Sequence, residues 1–294
     1  MQSHQKFQSN GERVSMLDTE YQTPLVKITD YLMEDLGESI RLDKKTDPRV
    51  VEKQACWAGI KQGMRVADLG CGSGKTTQTL YNLVHPDGEA VGLDFASSRY
   101  EFAKTHYAAS GIRFLCRDVR DSLDDLGSFD FLWVRFLLEY YLSGGFEIVE
   151  NISKLLKPGG ILCLIDLDHN CLNHYGIPER LGKTLTELSA LSQIKANFDP
   201  WAGRKLYSFL YDLGYENISV DVSAHHLIFG NPTEADAFNW LKKVEVAPQR
   251  IQFDFQEYNG SYEDFLKEFL DYFRNPRRFI YTPVIACRGI KPAD

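Results

Sequence analysis

Three glycines at alternate positions, Gly70, Gly72 and Gly74, follow a short apolar run that ends in Asp68. A stretch able to form a helix begins directly after them. Because glycine accepts positive φ and has no Cβ, such a run forms a tight strand-to-helix turn whose main chain a ligand can approach. The first N–H groups of the following helix are also free to bind that ligand. The run therefore predicts a ligand site at the end of a β-strand.

The spacing of these glycines argues against two common nucleotide-binding loops. A Walker loop requires a glycine five positions before the Gly74-Lys75 pair, and that position is Leu69. The dinucleotide pattern G-x-G-x-x-G also fails, because its third glycine would fall on Lys75 or Thr77. A nicotinamide-dependent reductase would share the same kind of sheet, but it is disfavoured by this spacing.

Strand-like and helix-like patterns alternate through the middle of the chain, which predicts an α/β fold with a doubly wound, Rossmann-like, mostly parallel sheet. Ligands of such sheets bind at the carboxyl ends of the strands, where the glycine turn lies. The fifth apolar run is continuous, as expected of a strand buried on both faces. The five predicted strands are 64–69, 90–94, 112–116, 129–134 and 161–165.

The regular alternation ends after the fifth strand, and three parts of the chain are predicted. Residues 1–60 would form an N-terminal helical cap, 61–168 the ligand-binding core and 169–294 the remainder of the core. Helical insertions are expected at 171–199 and 233–275, and the second is rich in aromatic residues. Placed over the carboxyl edge of the sheet, they would form a lid around an apolar pocket.

The composition is that of a globular protein with an acidic surface. The 294 residues are 44% hydrophobic, and 33 basic against 41 acidic residues give a net charge of −8. We therefore expect no nucleic-acid partner. None of the six cysteines forms a C-x-x-C pair, so no metal site is expected. The start of the chain lacks the apolar segment of a signal peptide and no run of 18 apolar residues occurs, which predicts a cytoplasmic protein without a membrane partner.

Acidic residues also follow the second and third predicted strands. Asp94 ends the second strand, where a carboxylate can accept hydrogen bonds from both hydroxyls of a ribose. Asp118 follows the third strand, where it can accept from an exocyclic amine while Val119 packs on a purine face. Taken singly, Asp68 and Asp94 could equally be solvated acids at strand ends, and the alternative for Asp118 is an ordinary loop acid.

With these residues in place, residues 60–168 resemble the class I S-adenosylmethionine-dependent methyltransferases. The resemblance implies a seven-stranded sheet whose last strand is antiparallel and lies beside the sixth. It also implies S-adenosylmethionine as the cofactor. The matching segments, in the order of the family's motifs, are Asp68-Leu-Gly70-Cys71-Gly72-Ser-Gly74, Val91-Gly-Leu-Asp94-Phe95, Asp118-Val119, Phe129-Asp130-Phe-Leu-Trp-Val-Arg135 and Leu155-Leu-Lys-Pro-Gly-Gly-Ile161.

The resemblance implies roles at the methionine end of the cofactor. The segment Gly70-Cys71-Gly72 would pass under the methionine part, and Asp68 would orient that turn or receive the ammonium group through water. Arg135 would lie near the methionine end. The alternative for Arg135 is a pair with Glu139 at i,i+4 spacing on a helix face. Cys71 invites a nucleophilic role, but contact through its main chain is favoured.

The adenosine end is assigned in the same way. Asp94 would hold the ribose, Phe95 and Val119 would sandwich the adenine, and Asp118 would bind its amine. A weaker resemblance, to a subgroup of bacterial small-molecule methyltransferases, includes Glu38-Ser-Ile-Arg41-Leu42. It implies that Arg41 reaches over the carboxylate of the cofactor.

The acceptor of the methyl group is predicted to be a small molecule. The fourth strand lacks the N/D-P-P-Y/F and Pro-Cys patterns that related enzymes use on nucleobases or glutamine. A methyltransferase of protein or RNA and a non-catalytic S-adenosylmethionine-binding subunit stay open as alternatives. If the acceptor must lose a proton, candidates for the base are Glu139, Tyr140, Asp168 and His169, which the sequence does not rank.

Overall fold

The computed structural model describes residues 31–35 and 37–293. Most of the predicted N-terminal cap, 1–30, lies outside the described residues. Two helices follow, α1 (Glu38–Lys45) and α2 (Pro48–Ala58). The second begins as its sequence predicts, because the side chain of Asp47 accepts a hydrogen bond from the backbone N–H of Arg49 and proline occupies the first turn.

The alternating part of the chain forms the parallel half of the sheet, as predicted. Its strands lie in the spatial order β3-β2-β1-β4-β5, so the order reverses between β1 and β4. The carboxyl ends of these strands meet at one edge. The elements are β1 (Arg65–Leu69), α3 (Lys75–Val84), β2 (Glu89–Asp94), α4 (Ser97–Tyr107), β3 (Ile112–Cys116), β4 (Phe129–Arg135), α5 (Gly145–Ser153) and β5 (Leu156–Leu167).

The rest of the chain completes the sheet and adds helices. The last strand, β8 (Phe279–Ile290), is antiparallel and lies between β5 and β7 (Glu216–Phe229), which confirms the predicted seven-strand arrangement. A two-residue strand, β6, also pairs with the start of β8 and is too short to leave a sequence pattern. These elements are β6 (His174–Tyr175), α6 (Glu179–Ala196), α7 (Leu206–Asp212), β7 (Glu216–Phe229), α8 (Glu234–Arg250), α9 (Tyr262–Arg274) and β8 (Phe279–Ile290).

Helices cover both faces of the sheet. On one face α2 and α3 pack against the strands, with Val51, Ala55 and Leu80 fully buried. On the other face α5 and α7 do the same through Ile152 and Leu210. Two helices of the predicted cap lie within the described residues. Of these, α2 packs against α3 beside the sheet, and α1 contacts α8 and α4.

Three helices of the two predicted insertions share an apolar core of their own. The segment 171–199 contains α6, and 233–275 contains α8 and α9, which confirms the helices expected there. The aromatic stripe of α9, including Phe265 and Phe269, is buried against Trp240 of α8. These aromatic side chains therefore serve packing, and neither α9 residue lines a cavity described below.

Candidate active site

The glycine turn after β1 has the backbone that its sequence predicts. Gly70, Gly72 and Gly74 have φ values of +80°, +55° and +87°. The N–H groups of Gly70 and Cys71 both donate to the carbonyl of Leu93 at 2.8 Å, which ties the turn to the end of β2. A Cβ added at Gly72 would lie 2.9 Å from Leu42 Cδ1, so a side chain there would collide with α1. The turn is therefore held between α1 and the end of β2.

Asp94 is held at the tip of β2 by three donors. Its Oδ2 accepts from the N–H of Gly72 at 3.0 Å, and its Oδ1 accepts from the N–H of Ala96 and from Arg99 Nε. Arg99 also bonds to Glu34 at 2.6 Å, and only 3% of its side chain is exposed. Because each carboxylate oxygen has two lone pairs, Asp94 keeps acceptor capacity for a ligand.

Eight of the predicted cofactor residues line one cavity, which we call the first cavity. It encloses about 820 Å³, part of it open to solvent, at the carboxyl ends of β1, β2 and β4. Its walls combine main-chain groups of the turn, aromatic rings and charged side chains. The predicted residues in its lining are Gly70, Cys71, Gly72, Asp94, Phe95, Asp118, Val119 and Arg135.

Two of these side chains are engaged by neighbours within the protein. Asp118 accepts from Arg120 Nε at 2.9 Å, and this pairing holds its pKa below the usual range despite its partial burial. Arg135 donates to Gln54 of α2 at 3.1 Å and does not pair with Glu139. Burial lowers the pKa of Arg135 to about 10. The thiol of Cys71 also has its pKa raised by burial, which favours main-chain contact over a nucleophilic role.

The structure places two predicted residues away from the first cavity. Asp68 is buried behind the turn, where it accepts from Thr77 Oγ1 at 2.7 Å, so it supports the turn without lining the cavity. Burial raises its pKa to about 7. Arg41 lies elsewhere because Glu38 binds it through two hydrogen bonds, of 2.6 and 2.7 Å, and Asn239 through a third. The expectation that Arg41 covers the cofactor therefore finds no support in its position.

A second cavity, of about 770 Å³, adjoins the first and shares Lys45 and Tyr140 with it. We call it the second cavity. Its walls come from α1, α6, α8 and the loops after β4 and β5, and most of them are apolar. The lining residues include Leu32, Met33, Leu167, Leu185, Leu188, Phe198, Trp240, Val244 and Ala247.

Charged groups interrupt this apolar lining. Glu139 is 3% exposed and accepts from Asn170 Nδ2 at 2.6 Å, and burial raises its pKa. Burial lowers the pKa of Lys45 to about 7, and nearby Arg41 acts in the same direction. Lys243 Nζ lies 3.3 Å from Cys171 Sγ. Of the candidate bases, Glu139 and Tyr140 thus line the second cavity.

The other two candidate bases have different positions. Asp168 binds Arg204 through two hydrogen bonds, of 2.7 and 2.8 Å. His169 Nδ1 is 2.5 Å from Asn173 Oδ1, and its ring stacks on Trp201. Neither residue lines the first or the second cavity, because each is held by a partner on the surrounding loops.

Several residues of the two cavities were not predicted from the sequence. Arg99 had a weak signal, since it follows Asp94 by five residues on a helix that begins at the cavity. Lys45, Lys243 and Trp240 had none, because they lie on α1 and α8, far from the motifs along the chain. Within residues 31–35 and 37–293, no group of three His, Cys, Asp or Glu side chains is placed to hold a metal ion. None of the helices described is long and apolar enough to cross a membrane.

Comparison with known proteins shows which family has this architecture. A family model described as a methyltransferase domain matches residues 60–224, more than half of the chain. The chain belongs to this methyltransferase family. Its sheet order identifies it with the class I S-adenosylmethionine-dependent enzymes, and S-adenosylmethionine is their cofactor.

The relatives of this methyltransferase are distant. A demethylmenaquinone methyltransferase of Lactococcus lactis is 32% identical over 123 residues, which are 40% of this chain and 47% of the relative. The chain thus spans about half the length of the curated relatives it matches. A solved cyclopropane-fatty-acyl-phospholipid synthase-like protein from Lactobacillus casei superimposes with a TM-score of 0.57 at 12% identity, covering 88% of this chain and 98% of that one.

A third similarity is to phosphoethanolamine N-methyltransferase 2 of Haemonchus contortus, solved in complex with S-adenosyl-L-methionine. The TM-score is 0.50 at 15% identity, and the match covers 83% of this chain and 53% of that one. At such identities the two solved structures show that the fold is shared. They leave the acceptor to be inferred from the cavities of this chain.

Proposed function

We propose that this protein transfers the methyl group of S-adenosylmethionine to a small, largely apolar molecule. The observation that carries the proposal is the contact between the two cavities. Tyr140 and Lys45 belong to the walls of both, so a ligand in each would meet there. A methyl donor in the first cavity and an acceptor in the second would then be adjacent.

The first cavity fits the chemistry of S-adenosylmethionine. Its glycine turn offers main-chain groups without side chains, and Asp94 offers a carboxylate at the strand tip for the ribose hydroxyls. Phe95 and Val119 provide apolar surfaces for the adenine. Within this proposal Asp118 binds the adenine amine and Arg135 lies near the carboxylate of the methionine part.

Bound S-adenosylmethionine supplies a methyl group on a positively charged sulfur. The protein has to align the acceptor with that methyl group and to exclude water. Tyr140 suits the boundary between the cavities, since burial raises the pKa of its phenol and keeps it protonated. Glu139 and Lys45 are placed to accept a proton if the acceptor must lose one.

The open second cavity supports a catalytic protein over a non-catalytic binding subunit. A subunit without an acceptor would have this space filled by bulky side chains, whereas here it remains open and its lining is mostly apolar. An apolar cavity with a few polar groups suits a small molecule. The net charge of −8 gives no support to an RNA acceptor. All six cysteines are free thiols, as in proteins of a reducing compartment, which supports the expected cytoplasmic location.

Calorimetry with S-adenosylmethionine, S-adenosylhomocysteine and NAD tests the proposed cofactor site. We expect the first two to bind and NAD not to bind. The Asp94→Ala variant should weaken S-adenosylhomocysteine binding by about 1–3 kcal/mol, because ribose hydroxyls would lose their acceptor. Asp130→Ala is a suitable control, since Asp130 lies at the opposite end of β4 and pairs with Lys157. Unchanged affinity in Asp94→Ala would contradict the placement of the ribose.

A further inference from the structure

The polar groups of the second cavity form one cluster within an otherwise apolar lining. Lys45, Glu139 and Lys243 influence one another electrostatically. Asn170 donates a hydrogen bond to Glu139, and Lys243 donates one to Cys171. We call these five residues the polar cluster. Lys45 also lines the first cavity, so the cluster reaches the boundary between the cavities. A ligand of the second cavity would present its polar atoms here.

The cluster holds two lysines and one carboxylate. The guanidinium of Arg41 is already matched by Glu38. Neither Lys45 nor Lys243 has a carboxylate within ion-pair distance among residues 31–35 and 37–293, and Glu139 is the one carboxylate of the cluster. One of the two half-buried lysines therefore lacks an anionic partner, and a charge without a partner in an apolar setting is unfavourable.

Neighbouring titratable groups do not supply the missing anion. Burial lowers the pKa of His226 well below its usual value, so this ring is neutral. The pKa of His225 beside it is lowered in the same way. Asp166 does not line the second cavity, and its two oxygens accept hydrogen bonds from the backbone N–H groups of Glu139 and Leu167. The matching anion must therefore come from outside the cluster.

Resting on the proposed function, we propose that the methyl acceptor is an apolar molecule with an acidic oxygen that binds as an oxyanion between Lys45 and Lys243. A phenol, an enol and a carboxylic acid share this chemistry. The apolar side chains around the cluster, such as Leu185, Phe198 and Val244, would hold the rest of the molecule. A neutral acceptor would leave one of these two lysines without an anionic partner.

The reaction of such an acceptor balances with the groups that the two cavities bring together. A phenol or enol gives its proton to the neutral amine of Lys45, whereas a carboxylic acid arrives already ionised. The oxygen lone pair then forms a bond to the methyl carbon, and the electron pair of the carbon–sulfur bond goes to sulfur. The products are S-adenosylhomocysteine and a neutral methyl ether or ester. Because the product has lost the charge that matched the lysines, its release is favoured.

Three naphthalene probes of one shape test this inference. The probes are 2-naphthoate, 2-(hydroxymethyl)naphthalene and 2-(aminomethyl)naphthalene, titrated into protein saturated with S-adenosylhomocysteine at pH 7.5. We expect naphthoate to bind about tenfold tighter than the alcohol, and the amine to bind most weakly. Lys45→Gln and Lys243→Gln should each remove most of this preference without changing the affinity for the alcohol. Lys61→Gln, an exposed lysine before β1, should have no effect.

Equal or tighter binding of the alcohol or the amine would overturn the inference. The same holds if the preference survives both substitutions, or if none of the three probes binds at millimolar concentration. S-adenosylhomocysteine binding is measured in the same samples, and it separates the two proposals. Its absence would contradict the proposed function, whereas its presence without a preference for the anion would contradict this inference alone. Retained S-adenosylhomocysteine binding also shows that each variant is folded.

Discussion

The first cavity is centred on a main-chain turn at the ends of neighbouring strands, whereas the second is built from side chains on helices that are far apart in sequence. In the first, the turn at Gly70–Gly74 is fixed by hydrogen bonds to β2 and by close packing. In the second, Lys45, Glu139 and Lys243 come together from α1, the loop after β4 and α8. The two cavities thus depend on different kinds of interaction.

This difference separates what is common to the family from what belongs to this chain. A strand order and a glycine turn can be kept while α8 and α6 change, because the backbone hydrogen bonds of the turn run to the end of β2. Lys243 of the second cavity lies on α8 and can vary independently of the cofactor site. We therefore expect substitutions in the first cavity to act on stability and cofactor binding, and substitutions in the second to act on the acceptor.

The largest expected effect lies in the second cavity, at Lys45. Burial and the nearby Arg41 lower its pKa to about 7, against the opposing charges of Glu139 and Glu38, while Lys243 adds a further like charge. About half of this amine should then be neutral at pH 7, roughly a thousandfold more than for an ordinary lysine. Acetylation rates measured by peptide mass spectrometry between pH 5 and pH 10 should show a midpoint near 7 for Lys45.

Exposed Lys61 is the control for this measurement, in the same samples. A midpoint for Lys45 that matched Lys61 would contradict its burial among positive charges. It would also weaken the contrast between the cavities, because the second would then carry an ordinary, hydrated lysine. Saturation with S-adenosylhomocysteine should leave the midpoint of Lys61 unchanged.

The next effect lies at the turn of the first cavity. Gly74 has a φ of +87°, and a Cβ there would lie 2.7 Å from Ala103 Cβ and 2.9 Å from Phe114 Cζ. Gly214→Ala is a matched control, since its φ is +75° and no atom lies within 4 Å of the added Cβ. Positive φ alone should lower the free energy of unfolding by about 1–2 kcal/mol in both variants. The collision should lower it by about 1–3 kcal/mol more in Gly74→Ala.

Urea unfolding of the two variants measures this difference. Equal losses would mean that α4 and β3 move to accommodate the methyl group, and that the turn is less tightly packed than its distances indicate. A larger loss in Gly74→Ala would show that packing beneath the turn, as well as backbone conformation, requires glycine there.

The same contrast explains which residues of the two cavities could be predicted from the sequence. The first cavity was predictable because its motifs are contiguous and each lies at a strand end, so that Asp94 and Asp118 fall into place once the parallel order is known. The second was not, because Lys45 and Lys243 meet only after α1 and α8 have packed. Arg41 illustrates the limit. Its motif implied a contact with the cofactor, whereas the structure pairs it with Glu38, three residues earlier on the same helix.

The smallest of these effects concerns Asp68, behind the turn. Burial raises its pKa to about 7, while Thr77 and the more distant Arg135 oppose the shift and Asp94 adds to it. A carboxyl whose pKa is raised on folding binds a proton more tightly in the folded state, so its contribution to stability is full below pH 4 and is lost as pH rises to about 7. From pH 5 to pH 8 the wild type should lose about 2–3 kcal/mol more free energy of unfolding than Asp68→Asn, which cannot ionise.

Asn can still accept the hydrogen bond from Thr77, so the variant isolates ionisation from the loss of a contact. Urea unfolding at the two pH values gives the difference directly. If the free energy of unfolding changes equally between pH 5 and pH 8 in the wild type and in Asp68→Asn, the carboxylate is ionised in the folded protein and is stabilised by Arg135. The turn of the first cavity would then depend on a second buried charge pair besides that of Asp94 and Arg99. The distinction between a main-chain site and a side-chain site would fail at that turn.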